Sequence, residues 1–133
     1  MLSGHINRAA SPDMFRVLGE VGLSFTQMKA LFILEQHDEL SVKDVSGHLA
    51  MSFPAMSRSI DGLVQRGYVT RRESTSDRRS KIVALLPAGR DVLGRIVAAR
   101  ETALTAFAEE LAEPERNALH AALLPIVERI SSP

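Results

Sequence analysis

At 133 residues, 45% of them apolar, the chain can bury a core of its own and fits one domain with an appended helical part. Sixteen basic residues balance sixteen acidic ones, and the absence of cysteine excludes disulfides, thiol chemistry and cysteine-rich zinc sites while fitting a reducing compartment. No apolar run approaches the roughly 18 residues that span a bilayer, and no secretory h-region opens the chain, so a soluble cytoplasmic protein without membrane contact is expected.

Residues before Ser11 are expected to form a loose arm. Ser11, Pro12 and Asp13 supply a cap, a first-turn proline and an N-terminal acid, predicting a helix over residues 12–21. A second helix is predicted over 25–36, capped near Ser24 or Thr26, with Met28, Leu31, Phe32 and Ile33 toward the core. His37 follows it, where an imidazole commonly meets the last carbonyls.

Ser41 and Asp44 then form a Ser-x-x-Asp capping signal before the apolar positions Val42, Val45 and Leu49, predicting a short helix over 42–49. After the turn residues Ala50 and Met51, Ser52 can cap a further helix whose first turn tolerates Pro54. Gly67 supplies its left-handed exit, and Arg66 suits the negative end of its dipole. Met56, Ile60, Leu63 and Val64 share the face that must be buried, leaving Pro54, Ala55, Arg58, Asp61, Gly62 and Gln65 on the other. Ala55, Ser57, Ser59 and Gly62 are small, so this helix could settle into a major groove with Arg58 near the middle of its open face. Taken alone, it also fits an ordinary amphipathic surface helix.

The next segment shifts that balance. Two β-favouring runs, Tyr68 to Arg72 and Lys81 to Leu86, flank a loop of turn formers and read as a long-tipped hairpin. Arg66, Arg71, Arg72, Arg78, Arg79 and Lys81 face only Glu73 and Asp77 there, a local basic excess in a neutral chain. Arginine at such a tip suits the negative potential of a narrow minor groove. The bland alternative is a salt-bridged surface turn in which Asp77 pairs with Arg79 or caps the turn.

A long helix starts near Pro87, with Val92, Leu93, Ile96, Val97, Ala103, Leu104, Phe107 and Leu111 at helical spacing. Its expected partner is a last helix over 114–130, carrying Leu119, Ala122, Leu123, Ile126, Val127 and Ile130. Such broad stripes fit subunit association, and they also fit closure of an intramolecular core. Pro125 is expected to kink or split the last helix. His5, His37, His48 and His120 lack metal-ligand spacing, and no nucleophile–base pair, glycine-rich phosphate loop or paired-acid motif is present, so no catalytic residue, metal or cofactor is expected.

In order and spacing, Val45, Leu49, Ser52, Ser57-Arg58, Leu63, Arg66-Gly67-Tyr68-Val69, Arg71, Asp77-Arg78-Arg79 and Pro87-Ala88-Gly89-Arg90 resemble the MarR-type winged helix-turn-helix transcription regulators. The likeness covers roughly residues 20–110. It implies a mainly α fold with a small β-hairpin wing: residues 1–22 as an N-terminal arm and helix, 23–87 as a winged helix-turn-helix DNA-binding domain, and 88–133 as a helical dimerisation region. It further implies a cytoplasmic homodimer on a pseudo-palindromic operator in double-stranded DNA, acting as a repressor relieved by a small aromatic or anionic effector. Arg58 would read bases, Ser52, Ser57 and Ser59 would meet phosphates or base edges, and Pro54 and Ala55 would lie beside them. Arg78 and Arg79 would serve the wing tip with Asp77 holding the loop, joined by Arg72 and Lys81. Two departures stand out: the first helix is short for the family, and Leu86 stands where many relatives carry a capping threonine. Without cysteine, the thiol switch of peroxide-sensing relatives is excluded. A winged-helix module that binds proteins through the same surfaces is the alternative.

Overall fold

Serine caps and left-handed corners cut the front of the chain into short helices, as seen in the computed structural model, which describes residues 14–131. The order is α1 (Met14–Val21), α2 (Phe25–Glu35), β1 (Leu40–Ser41), α3 (Val42–His48), α4 (Phe53–Gln65), β2 (Val69–Glu73), β3 (Lys81–Leu85), α5 (Pro87–Glu110) and α6 (Glu113–Ser131). The expected arm before Ser11 and the expected helix start at Pro12 lie outside the described residues.

Capping boxes start α2 and α3. Ser24 pairs reciprocally with Gln27, and Ser41 with Asp44, each satisfying two backbone donors that a helix start leaves open. The Ser41 hydroxyl donates to the Asp44 carboxylate at 2.6 Å and holds its pKa below the usual carboxylate range. That contribution to stability is therefore present above the unfolded-state pKa and is lost as the pH falls through the folded one.

Three corners end helices with the same pair of bonds. At Gly67 (φ 71°), the Gly67 N–H donates to the Val64 carbonyl and the Tyr68 N–H to that of Leu63, which closes a Schellman motif. Gly22 (φ 65°) repeats the pattern after α1, and Ala50 (φ 50°) repeats it between α3 and α4. The turn at Ala50 and Met51 is expected from the sequence, but its left-handed conformation is not, because alanine does not favour positive φ.

The three strands form an antiparallel sheet ordered β1-β3-β2, with Val69 opposite Leu85 and Leu40 opposite Val83. Sequence reading finds the hairpin but misses β1, since two residues are too few to show alternation. Leu31, Leu34, Val42, Val45, Met56, Ile60, Leu63, Val69, Val83 and Leu93 are fully buried, so α2, α3, α4, the sheet and the start of α5 share one core.

Several expected core positions differ. In α2, Ala30 and Leu34 are buried while Ile33 is only half-buried and Phe32 packs at the core's margin. That helix is apolar nearly all round, so periodicity does not single out a face. Val64 is 37% exposed rather than buried, because the inward face of α4 is narrow and filled by Met56, Ile60 and Leu63. The stripe of α5 divides: Val92, Leu93 and Ile96 enter the core, while Val97 and Leu104 remain exposed. α6 has no buried residue and continues through Pro125 without splitting. It does not close an intramolecular core with α5, one of the two arrangements its stripe allows, because the inward residues of α5 are already taken up by the head.

Leu86 occupies the N-cap of α5 with no side-chain bond to the helix. Leu86→Thr keeps the extended backbone and adds a hydroxyl acceptor, so it is expected to raise stability by about 1 kcal/mol. A higher denaturant midpoint at unchanged m-value would show this.

Candidate nucleic-acid interface

Two flanking contacts orient α4. Toward α2, the Gln27 side chain accepts from the Ser24 N–H at 3.0 Å and donates to the Ser59 carbonyl at 3.3 Å. A Cβ at Gly62 would stand 2.6 Å from the Gln27 amide nitrogen. The missing side chain of Gly62 thus admits Gln27 rather than clearing a path into a groove, which corrects the expectation drawn from its small size. Toward the hairpin, Arg71 of β2 pairs with Asp61 and donates to the Ser57 hydroxyl at 3.3 Å. Arg71 is mostly shielded, at 22% side-chain exposure against 51% for Asp61, so it ties the wing to the helix rather than facing outward.

Between these flanks lies an open face. Pro54, Arg58, Asp61 and Gln65 are exposed on it, and among the described residues nothing pairs with the Arg58 guanidinium. Ala55, Ser57 and Ser59 are half-buried at its edges. Ser52 is exposed at the N-cap, but its side chain makes no capping bond, contrary to the expectation that it would cap the helix; the backbone carbonyl alone accepts, from the Met56 N–H at 3.0 Å. Its hydroxyl is left for other use.

The wing loop is held by its own polar groups. The Asp77 carboxylate accepts from the Arg79 N–H at 2.9 Å, the Asp77 carbonyl accepts from the Ser80 N–H at 2.9 Å, and Ser74 N–H donates to the Ser80 carbonyl at 2.9 Å. These bonds make Asp77 the organiser of the tip and leave the Arg78 and Arg79 side chains exposed, with no partner among the described residues.

The basic excess read from the sequence is smaller in space. Arg72 pairs with Glu39 from the loop before β1, and Lys81 pairs with Glu73 across the hairpin at 2.8 Å, an attraction that lowers the Glu73 pKa. Arg66 turns back to the Gly62 carbonyl at 3.0 Å. Among the described residues of α4 and the wing, Arg58, Arg78 and Arg79 are outward with no partner, while Arg66 is exposed with its charge met only by a neutral carbonyl.

The start of α4 and the base of the wing tip meet across a groove. About 180 Å³ in volume, it is lined by Val42 and Lys43 of α3, Phe53 of α4, and Asp77, Arg79, Ser80 and Lys81 of the wing. Sequence reasoning misses Lys43 and Phe53 as candidate contacts. Lys43 reads as an ordinary helix-surface charge, and Phe53 is overshadowed by the helix-start signal of Pro54.

Among the described residues, His37, His48 and His120 belong to no group of three potential metal ligands, although the His37 and His48 rings lie 5.5 Å apart between centroids. His5 lies outside the described residues. No single described helix is long and apolar enough to cross a membrane.

Residues 23–81 match the family model described as MarR family. The chain is 28% identical over 104 residues to the uncharacterised HTH-type transcriptional regulator YfiV of Bacillus subtilis, covering 78% of this chain and 65% of that protein. It is 24% identical to the HTH-type transcriptional repressor MdtR of the same organism, covering 78% of this chain and 67% of that one. The chain thus spans about two thirds of the length of these relatives. Among solved structures, a MepR mutant from S. aureus bound to an oligodeoxyribonucleotide superimposes with a TM-score of 0.78 at 18% identity, covering 98% of this chain and 96% of that one.

Proposed function

We propose, from the match of residues 23–81 to the MarR family model, that this chain is a MarR-type, sequence-specific DNA-binding transcriptional regulator acting as a homodimer on a pseudo-palindromic operator. The observation that carries this reading is the exposure of Arg58, Arg78 and Arg79, all unpaired among the described residues, together with a groove that runs from Phe53 at the start of α4 to Arg79 at the wing. With α4 in a major groove, Arg58 can donate two parallel bonds to guanine O6 and N7. The wing then reaches the adjacent minor groove, where Arg78 and Arg79 meet negative potential. Ser52, Ser57 and Ser59 line the path of the backbone or base edges, with Pro54 and Ala55 beside them and Arg72, Lys81 and Asp77 supporting the wing.

Residues 23–87 form the reading head in this proposal, while residues 1–22 and 88–133 serve dimerisation. α6 supports that division: Leu119, Leu123, Leu124, Ile126, Val127 and Ile130 are each between 36% and 73% exposed, a face too apolar to stay in water. A second copy would cover it by two-fold symmetry, which a palindromic operator mirrors. By family likeness, and like the repressor MdtR, the dimer would repress transcription in the cytoplasm. A small aromatic or anionic effector would relieve it by binding better to a head spacing that DNA does not accept.

Duplex binding measured across a salt series tests this reading. Log affinity should fall linearly with log salt, with a slope of about −0.9 for each phosphate neutralised. Arg79→Ala should flatten that slope by roughly 2 per dimer and weaken all sequences alike, since a minor-groove tip contributes mainly charge. A slope near zero for the parent protein would favour a module that binds proteins instead.

A further inference from the structure

Phe53 is the first residue of α4, yet it stays 49% exposed and takes no part in the hydrophobic core. It lines the groove that Arg79 and Lys81 border from the wing. The N-terminal residues of a recognition helix are those that meet base edges. Here that first turn consists of Phe53, Pro54 and Ala55, and none of the three side chains can donate or accept a hydrogen bond. On the major-groove edges, the thymine C5-methyl is the apolar feature that such a turn can recognise.

We propose that Phe53 is a specificity-determining residue that packs against a thymine methyl in each half-site. The inference rests on the DNA-binding reading above and adds a base to it. Phe53 lies five residues before Arg58, about 7.5 Å along the helix axis, or roughly two base-pair rises. The thymine therefore falls within about three base pairs of the guanine that Arg58 contacts. Arg58 supplies polar readout and Phe53 apolar readout from the same helix.

The test starts from a random-sequence pool of duplexes, from which the purified protein enriches its own binding site. The enriched duplex is resynthesised with deoxyuridine replacing thymidine one position at a time. One thymine per half-site should matter, its replacement weakening binding about fourfold, as expected for loss of one buried methyl. The Phe53→Ala protein should bind the thymidine and deoxyuridine duplexes equally, and Phe53→Leu should keep part of the difference. Because Phe53 is half-exposed, the variants should melt close to the parent, and the deoxyuridine series on the parent needs no variant. Affinity indifferent to every deoxyuridine, or a penalty that persists in Phe53→Ala, would overturn the assignment to Phe53 while leaving DNA binding intact. Failure to enrich any duplex would instead remove the DNA-binding reading, and this inference with it.

Discussion

Replacing Arg58 with alanine is expected to lower affinity for the selected operator by about 1–3 kcal/mol per half-site, the discrimination that one bidentate arginine–guanine contact supplies. A dimer carries the change twice, so the loss compounds to roughly 2–6 kcal/mol if the half-sites act independently. Binding to unrelated duplex should fall far less, because there the side chain contributes only one charge near phosphate. The ratio of specific to non-specific affinity is thus the quantity that collapses. Arg58→Lys should recover the charge without the fork, restoring non-specific binding more than operator preference. Neither variant should disturb the fold: Arg58 is exposed and makes no bond among the described residues, and substitutions of that kind usually shift stability by less than about 0.5 kcal/mol. Competition titration of operator against unrelated duplex reads both affinities. An unchanged ratio would show that base readout lies elsewhere.

The largest expected effect on stability comes from a much smaller change, Gly89→Ala. A Cβ on Gly89 would stand 2.3 Å from the Tyr68 carbonyl oxygen and 2.7 Å from a methyl carbon of Leu85. The leucine side chain can turn away, but the carbonyl is backbone and already accepts the Leu86 N–H at 3.0 Å. Alanine is the better helix former by about 1 kcal/mol, so propensity alone predicts a gain. The contact decides otherwise: α5 must lift off the head, dragging Val92, Leu93 and Ile96 from their packing. A net loss of about 2–4 kcal/mol is expected, with a fall in melting temperature of roughly 10 °C. Because α5 also links the reading head to the region assigned to dimerisation, operator affinity should fall with it. An unchanged or raised melting temperature would mean that α5 is not seated against Tyr68.

Features written in a few consecutive residues are legible without coordinates. The Ser41–Asp44 capping box, the left-handed Gly67, the two strands of the hairpin, the loop-holding carboxylate of Asp77 and the outward direction of Arg58 each follow from local chemistry, and each is present. What is not legible depends on partners distant in the chain. Glu39 neutralises Arg72 from 33 positions away, and Asp61 engages Arg71 from ten, so a count of charges along the hairpin overstates its free cations. Gly62 looks like room for DNA because its actual occupant, Gln27, lies on another helix. β1 exists only because β3 offers it an edge. The open face of α6 is the reverse case: its apolar spacing is evident, but whether α5 or a second copy covers it is a question of three-dimensional packing.

In the proposed complex, Arg58 and the wing tip touch one stretch of duplex from adjacent grooves. The chain has no cysteine, so a single cysteine introduced as Gln65→Cys on the open face of α4 or Thr75→Cys in the wing loop, both exposed and outside the assigned contacts, can carry a tethered iron chelate as the only cleavage source on the protein. Mapping the strand breaks that each conjugate makes on the selected operator is the most direct measurement. Two cleavage clusters are expected in every half-site, a major-groove cluster from position 65 and a minor-groove cluster from position 75, separated by roughly half a helical turn. Cleavage from one position with none from the other, or clusters scattered without register to the operator, would contradict it.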